Sequence, residues 1–180
     1  KKIKNGEIPE EWEKPENKSK LAQKDTDADW TKKNGERHFG YKDHVKCDAD
    51  SKLITNYSVT SASVHDSQRC LVFIGQEDEV LYADSAYSGK PIALALPENC
   101  KNQICEKGYR NSPLTSEQKM NNRRKSRIRC RIEQIFGFMT GAMHGITIRS
   151  IGITRAWMNI GITNLVYNFC RYSYLKRASA

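Results

Sequence analysis

The sequence lacks any long apolar run. Its most apolar late stretch, residues 151–170, is interrupted by one arginine and three asparagines, whereas a membrane-spanning helix needs about 20 predominantly apolar residues. The first twenty residues, KKIKNGEIPEEWEKPENKSK, are polar throughout and do not resemble a secretory signal. We therefore expect a chain that neither spans a membrane nor enters a secretory pathway.

The sequence also lacks a CxxC pair. Most of its six cysteines lie in apolar-patterned segments, as reduced and buried thiols of a cytosolic protein do. A zinc site built from Cys100, Cys105 and a histidine is the alternative, although a four-residue gap alone is weak evidence for one. We favour free thiols in a cytoplasmic protein. The cysteines are Cys47, Cys70, Cys100, Cys105, Cys130 and Cys170.

What the sequence does have is positive charge. The 180 residues contain 30 Lys and Arg against 21 Asp and Glu, a net charge of +9. Such an excess favours a polyanionic partner, most often nucleic acid, over the alternative of a merely soluble basic protein. The charge is concentrated: NNRRKSRIRCR, residues 121–131, places six cations in eleven positions. The 38% hydrophobic content is enough for the core of one ordinary domain.

Hydrophobic patterning predicts an α/β fold after a polar beginning. Residues 1–37 are charged, contain Pro9 and Pro15 and show no sustained period, which indicates an arm or inserted loop. Alternation predicts a β-hairpin over 38–60. The later elements expected are a helix at 64–74 with Ser63 and Asp66 as a capping box, a strand at 80–84 in the middle of a sheet, a short helix from Pro91, a strand at 102–106, a long helix after Thr115 and a last helix at 152–175.

Two carboxylates stand out against this basic background. Asp84 directly follows the apolar run VLYA, and Glu133 lies four residues after Arg129 on the long predicted helix. An i,i+4 ion pair is the default interpretation of Glu133. A metal-ligand role is the alternative, because such a pair of hard oxygen ligands suits Mg²⁺ or Mn²⁺ beside substrate phosphates. Two such ions can drive phosphodiester chemistry.

Four blocks of the sequence carry a family resemblance. DTDADWTKKNGERHFGYKDHVKCDADSKLI, VTSASVHDS, VLYADSAY and RIRCRIEQIFG together resemble the DDE transposases of bacterial insertion sequences, over about residues 25–170. The resemblance implies a ribonuclease-H-like core, a mixed sheet flanked by helices. It also implies that Asp84 is the second catalytic aspartate, that Glu133 is the catalytic glutamate, that both bind metal, and that Arg129 assists as a catalytic residue.

The chain departs from the family pattern in two respects. The family's first catalytic aspartate lies on the first strand of the fold, and no matching apolar strand precedes the blocks; Asp25, Asp27 and Asp29 lie in a polar stretch. We therefore expect a carboxy-terminal fragment whose first strand is missing and which is inactive in isolation. A tyrosine and a lysine found near the glutamate in some relatives are replaced here by Ser126 and Thr140.

The resemblance implies a function for residues 38–180 as a partial transposase catalytic domain. It would use two Mg²⁺ or Mn²⁺ ions to hydrolyse and transfer strands at insertion-sequence ends, as a homodimer or larger assembly on double-stranded DNA in the bacterial nucleoid. A ribonuclease-H-like nuclease and a catalytically inactive DNA-binding fragment are the alternatives. The expected phosphate contacts, for which solvated surface is the alternative, are Lys32, Lys33, Lys42, Lys46, Arg123, Arg124, Arg127 and Arg131.

Overall fold

The computed structural model describes residues 7–33 and 35–179. Residues 1–6 and 34 of the predicted arm therefore lie outside the described residues. The helices are α1 (Glu10–Glu13), α2 (Lys18–Ala22), α3 (Ser67–Phe73), α4 (Lys90–Ala95), α5 (Ser116–Arg129), α6 (Arg131–Gly141) and α7 (Ile153–Ala178). The strands are β1 (Asp29–Lys33), β2 (Glu36–Cys47), β3 (Ile54–Ser61), β4 (Val80–Leu81) and β5 (Lys101–Asn102).

The strands form an antiparallel sheet in the order β1-β2-β3 and a parallel pair, β4-β5. Side chains of β2 alternate between two helical layers. Val45 and Cys47 pack with α6 and α7, whereas Lys42 and Lys46 reach the segments around α3 on the other face. The sheet is thus flanked by helices on both faces, which confirms the predicted α/β class and the hairpin over 38–60.

The larger core lies between the β2-β3 hairpin and the last two helices. Ile54, Ile135, Met139 and Tyr167 form its buried centre, and Ile135 and Met139 are fully buried. The spacing of four between those two residues of α6 gives the helix one apolar face. A second cluster of Cys70, Ile92 and Ile104 surrounds the β4-β5 pair.

The prediction of a central strand at 80–84 was wrong in its placement. Among the described residues β4 pairs with β5 alone and is therefore an edge strand. The ladder does continue past the assigned strand, since the amide of Cys105 donates to the carbonyl of Ala83 at 3.0 Å. The apolar run is covered by α3 and α4, with Leu81 and Ala83 packed against the second cluster. Burial by helices produces the same sequence pattern as burial between strands.

The long helix predicted after Thr115 is divided at Cys130 into α5 and α6. Its start was predicted correctly: Thr115 and Gln118 form a reciprocal capping box. At Cys130 ψ is −7°, yet the amides of Cys130 and Gln134 still donate four residues back. The division is therefore a bend, and it lets α5 follow β5 while α6 packs on the larger core.

Two further expectations require correction. The predicted arm contains α1, α2 and strand β1, which pairs with β2 from Asp29↔Gly40 to Lys33↔Glu36. The capping box at Ser63 and Asp66 does not form, because the Asp66 carboxylate lies 3.3 Å from the Lys42 ammonium and makes no cap bond. Within residues 7–33 and 35–179, no helix is long and apolar enough to cross a bilayer.

Candidate functional site

Asp84 lies at the point where the β4-β5 ladder ends. It caps a short 3₁₀ helix, Ser85–Tyr87, and its carboxylate accepts a hydrogen bond from the amide of Ser85. The residue is exposed, whereas Ala83 before it is partly buried. The strand end therefore holds the backbone of Asp84 in place and presents its side chain to solvent, as a ligand-binding carboxylate requires.

Tyr87 interacts with both Asp84 and Asp66, and the sequence did not assign Tyr87 or Asp66 to the site. Burial, with smaller contributions from the nearby negative charges of Asp66 and Asp84, raises the pKa of Tyr87 to about 12. Tyr87 is thus a neutral phenol that interacts electrostatically with both carboxylates. Asp66 was interpreted as a helix cap; only the fold brings it toward this strand end.

Asp66 also begins a polar chain that leads into the protein. Its carboxylate lies 3.6 Å from Nδ1 of His44, and Nε2 of His44 lies 2.7 Å from the Thr60 hydroxyl. Burial lowers the pKa of His44 although the charge of Asp66 opposes the shift. Thr60 is only 2% exposed, so its hydroxyl cannot meet a substrate. This series of polar contacts stabilises the packing of β2 against α3 and does not activate a catalytic nucleophile.

Glu133 lies in the first turn of α6, directly after the bend. Its Oε1 is 2.8 Å from Nη2 of Arg129, an i,i+4 ion pair across the bend. The glutamate side chain is 61% exposed and the arginine 25%. A pair this open to water is worth only about 0.3–0.5 kcal/mol. Its clearer consequence is geometric, since Arg129 orients one carboxylate oxygen and leaves Glu133 accessible.

Helix α5 connects the strand end to the Glu133 turn. Glu106 and Asn122 exchange two hydrogen bonds of 2.9 and 3.0 Å, and Lys125 donates to the carbonyl of Ile104 at 3.0 Å. The hydroxyl of Ser126 lies 3.7 Å from the Cys105 thiol. The backbone amide of Cys105 donates a hydrogen bond to the carbonyl of Ala83. The segments that present Asp84 and Glu133 therefore belong to one packed unit.

The available metal donors are few. Within the part of the chain that the structure describes, no group of three or more His, Cys, Asp or Glu side chains is arranged to hold an ion. This includes the zinc alternative at Cys100 and Cys105, both buried free thiols. Asp84 and Glu133 remain as exposed carboxylates, and Mg²⁺ commonly uses one or two carboxylates with substrate phosphates. The donor chemistry of this pair therefore fits Mg²⁺ or Mn²⁺.

Asp25 and Asp27 have a different role at the start of α7. Asp25 accepts hydrogen bonds from the Tyr41 hydroxyl at 2.7 Å and from the amide of Gly152 at 3.3 Å. Asp27 accepts one from the amide of Ile153 at 2.9 Å. Carboxylates are favourable at a helix amino terminus, where unpaired amides point outward. These residues cap α7, whose Gly152 offers no side chain for the purpose.

A row of cations runs along α5. Lys119, Arg123 and Arg127 line one groove of about 610 Å³ together with Leu114, Asn122, Ser126 and Cys130. Positions four apart share a helix face and are separated by about 6 Å along the axis. We call these three residues the α5 cation row. Lys119 was missed by the sequence analysis, although its i,i+4 spacing from Arg123 was visible.

The other predicted phosphate contacts divide into two groups. Lys32, Lys33 and Arg124 are exposed. Three have acidic partners: Lys42 with Asp66 at 3.3 Å, Lys46 with Asp78 at 2.6 Å and Arg131 with Asp50 at 3.2 Å. Lys42 and Lys46 also donate to the carbonyls of Val64 and Phe73. These two would have to give up internal bonds to bind a phosphate.

Comparison with known proteins identifies a family and a curated protein that the chain resembles. A family model described as a transposase DDE domain matches residues 11–169, a range that includes Asp84, Arg129 and Glu133. The transposase for insertion sequence element IS1106 from Neisseria meningitidis serogroup B is 34% identical over 117 residues, covering 63% of this chain. The chain spans about 40% of the length of that curated relative. No solved structure matches the chain significantly.

Proposed function

The chain belongs to the family of transposase DDE domains, and from this membership we propose that it is part of a DNA transposase that cuts and joins strands at insertion-sequence ends. The observation that supports this most directly is the placement of Asp84 and Glu133. Both family-motif carboxylates are exposed, and α5 links the segments that present them. The sequence pattern places the catalytic domain at residues 38–180, and we extend its start to Asp25 because Asp25 and Asp27 are hydrogen-bonded to Tyr41 and to the start of α7.

We assign Asp84 and Glu133 to metal binding and Arg129 to positioning. Bound Mg²⁺ or Mn²⁺ ions, two in the complete enzyme, would activate the attacking hydroxyl and stabilise the leaving oxygen. Asp84 offers a carboxylate fixed by the cap of a 3₁₀ helix. Arg129 holds Oε1 of Glu133 at 2.8 Å and adds positive charge where a phosphate group would approach.

Duplex DNA is the proposed partner, bound by the α5 cation row and by Lys32, Lys33 and Arg124. Arg131, Lys42 and Lys46 are secondary contacts because each has an acidic partner. The proposed reaction is hydrolysis of a phosphodiester at the transposon end, followed by attack of the freed 3′-hydroxyl on target DNA. It would take place in the bacterial nucleoid.

A DNA-binding protein without catalysis is the second candidate. It is favoured by the finding that the described residues hold no group of three metal-ligating side chains. The two candidates differ in what Asp84 and Glu133 do. In the enzyme they bind an ion together, whereas in the binding protein they are ordinary surface carboxylates.

Thermal melts with and without millimolar Mn²⁺ test the metal assignment. The parent chain should melt a few degrees higher with Mn²⁺, because an ion bound only by the folded state stabilises it. Asp84→Asn and Glu133→Gln should each lose most of this shift. Glu98→Gln, at an exposed carboxylate outside the site, is the matched control and should keep it. Equal metal responses in all four proteins would remove the enzymatic assignment and leave the binding protein.

A further inference from the structure

Helix α5 alone does not fix the direction in which Glu133 faces. Glu133 follows the bend at Cys130, whereas its ion-pair partner Arg129 precedes the bend. The Glu133 side chain is 61% exposed, so packing does not hold it either. The buried Ile135 and Met139 anchor α6 further along the helix. A metal ligand has to be held within about 0.5 Å of its working position, so the first turn of α6 needs a further support.

The β2-β3 turn, residues 48–53, contacts α6 next to Glu133. Nζ of Lys52 donates a hydrogen bond to Oε1 of Gln134 at 2.6 Å. Gln134 directly follows Glu133, and its backbone amide donates to the carbonyl of Cys130 at 3.2 Å. Lys52 therefore joins the β2-β3 turn to the part of α6 that adjoins the bend.

A second contact lies on the other side of Glu133. Nη1 of Arg131 lies 3.2 Å from Oδ1 of Asp50, in the same turn. Asp50 is 98% exposed, so water competes for this ion pair and it contributes less. Positions 131 and 134 are three apart and share a helix face. The β2-β3 turn thus holds one face of the first turn of α6 and leaves Glu133 exposed.

Helix α7 makes the β2-β3 turn a firm support. Nε of Arg171 donates to the carbonyl of Ser51 at 2.6 Å. The hydroxyl of Tyr167 donates to the carbonyl of Lys52 at 3.0 Å. Asn168 exchanges two hydrogen bonds of 2.8 Å with the backbone at the first residue of β3. Lys52 has a φ of 60°, a left-handed conformation uncommon outside glycine, and these three side chains of α7 hold the backbone around it.

We propose that Lys52 is a positioning residue for Glu133. The turn held by α7 sets the first turn of α6 through the bond from Lys52 to Gln134, and thereby the direction in which the Glu133 carboxylate meets a metal ion. Arg129 orients the same carboxylate from α5, so the two supports act from opposite sides of the bend. This inference rests on the proposed function, since it requires Glu133 to bind metal.

The sign of the effect separates positioning from electrostatics. Lys52 is a cation, and removing a cation near a metal site favours metal binding, since the ion is then less repelled. Loss of positioning weakens metal binding instead. The hydrogen bond between Lys52 and Gln134 is exposed, so breaking it should change the stability of the metal-free chain little. A residue that supports only the fold would show the reverse: lower stability and unchanged metal affinity.

Thermal melts at increasing Mn²⁺ concentration measure both quantities. The midpoint without metal reports stability, and its rise with Mn²⁺ reports the dissociation constant. Lys52→Met should raise the Mn²⁺ dissociation constant about fivefold, below the roughly 10–100-fold cost of losing a group bonded directly to a metal ligand. Gln134→Ala should do the same without a change of charge. The double variant should bind Mn²⁺ no more weakly than either single variant, because both changes break one bond.

Lys52→Arg should bind Mn²⁺ as the parent does, because it keeps a donor and the charge. Lys20→Met is the matched control, since Lys20 is exposed on α2, and it should also match the parent. The proposal is overturned if Lys52→Met binds Mn²⁺ as tightly as the parent or more tightly, if the single effects add in the double variant, or if Lys20→Met weakens binding equally. In each of these cases the metal site itself stands. A parent chain without any response to Mn²⁺ would overturn both this proposal and the metal assignment.

Discussion

At the scale of single residues, Asp43 is a buried carboxyl group whose hydrogen bonding is incomplete among the described residues. It lies on β2 facing α7, and its Oδ1 accepts a hydrogen bond from Nδ2 of Asn164 at 3.3 Å. Oδ2 of Asp43 and Oδ1 of Asn164 are buried without a hydrogen-bond partner among the described residues. A proton on Oδ2 would give both oxygens a partner, in a reciprocal pair between acid and amide.

Burial raises the pKa of Asp43 to about 6, and the hydrogen bond from Asn164 opposes the rise only in part. The folded chain thus holds this proton more tightly than the unfolded chain, where the pKa is about 3.9. The stability that follows is complete below about pH 4 and is lost as pH rises through about 6. The pKa difference corresponds to on the order of 2–3 kcal/mol.

Asp43→Asn should remove this pH dependence. The variant cannot ionise, and its amide can donate to Asn164, so above pH 7 it should be more stable than the parent by up to that amount. Urea unfolding at intervals from pH 4 to pH 8 measures the difference, because every other titrating group is shared. Parallel stability curves for the two proteins would show that Asp43 does not control this region.

At the scale of elements, local patterns predicted what local interactions decide. The capping box at Thr115, Pro91 in the first turn of α4 and the extent of α7 were all predicted correctly. The bend at Cys130 and the edge position of β4 were not. Both depend on which helices cover a segment, and periodicity records burial without recording what provides it.

The residues of the candidate site likewise divide into those that local sequence patterns predicted and those that they did not. Asp84 and the Arg129–Glu133 pair are found from short motifs, since a strand end and an i,i+4 spacing are visible in sequence. Asp66 was misassigned because its partners Lys42 and His44 lie on β2, more than twenty residues away. Ionic contacts between distant segments leave no periodic pattern in a single sequence.

Helix α7 approaches Tyr57 of β3 closely at Gly161. A Cβ at this position would overlap the Tyr57 hydroxyl oxygen and lie 2.9 Å from its ring carbon Cζ. Gly161→Ala should therefore destabilise the protein by about 1–3 kcal/mol, as overpacking does, although alanine favours a helix. Tyr57→Phe in the same chain should recover part of the loss. Thermal or urea unfolding measures both effects.

Gly137→Ala is the matched control for this contact. Gly137 also lies within a helix, α6, and a Cβ there would meet nothing within 4 Å. It should therefore stabilise by up to about 1 kcal/mol through helix propensity alone. If Gly161→Ala also stabilises, the close approach of α7 to Tyr57 is not maintained in solution.

The α5 cation row should determine the salt dependence of DNA binding. If about four phosphates are neutralised, log K should fall against log[salt] with a slope of roughly −3 to −4. Changing Lys119, Arg123 and Arg127 to alanine should reduce the slope by about 2.7, at 0.9 per phosphate contact. Fluorescence anisotropy with a labelled duplex at several salt concentrations measures both slopes.

The control for this prediction changes Lys14, Lys18 and Lys20 to alanine. These lysines are exposed and lie in the amino-terminal segment, so the net charge falls by the same three units. Their loss should leave the slope nearly unchanged. Equal flattening by the two triple variants would mean that net charge, and not the α5 cation row, governs binding.

At the scale of the whole molecule, the folded unit begins earlier than the sequence pattern indicated. The predicted arm ends at residue 37, but Asp25 and Asp27 are bonded to Tyr41 and to the start of α7. Burial opposes ionisation of Asp25, yet its hydrogen bonds from Tyr41, Gly152 and neighbouring amides lower its pKa overall. The carboxylate is thus stabilised by the folded state. We therefore place the start of the domain at Asp25.

Trypsin distinguishes the two boundaries, because Lys24 and Arg37 directly precede them. Helices α1 and α2 have four and five residues, too few for stability without packing, so the exposed Lys18, Lys20 and Lys24 should be cut first. Arg37 pairs with Lys32 across the β1-β2 ladder, and cleavage there requires the strands to open. Mass spectrometry of the product that persists should therefore show Asp25 at its amino terminus.

Asp25→Ala should shift this result, because it removes the hydrogen bonds to Tyr41 and Gly152 that attach the segment to the body. Its persistent product should include chains that begin at His38. If the parent itself yields His38, strand β1 is not held to the body and the domain starts where the sequence pattern placed it. If both proteins yield Asp25, the β1-β2 ladder is sufficient and the carboxylate serves only to cap α7. The product's first residue thus separates attachment by side-chain bonds from attachment by strand pairing.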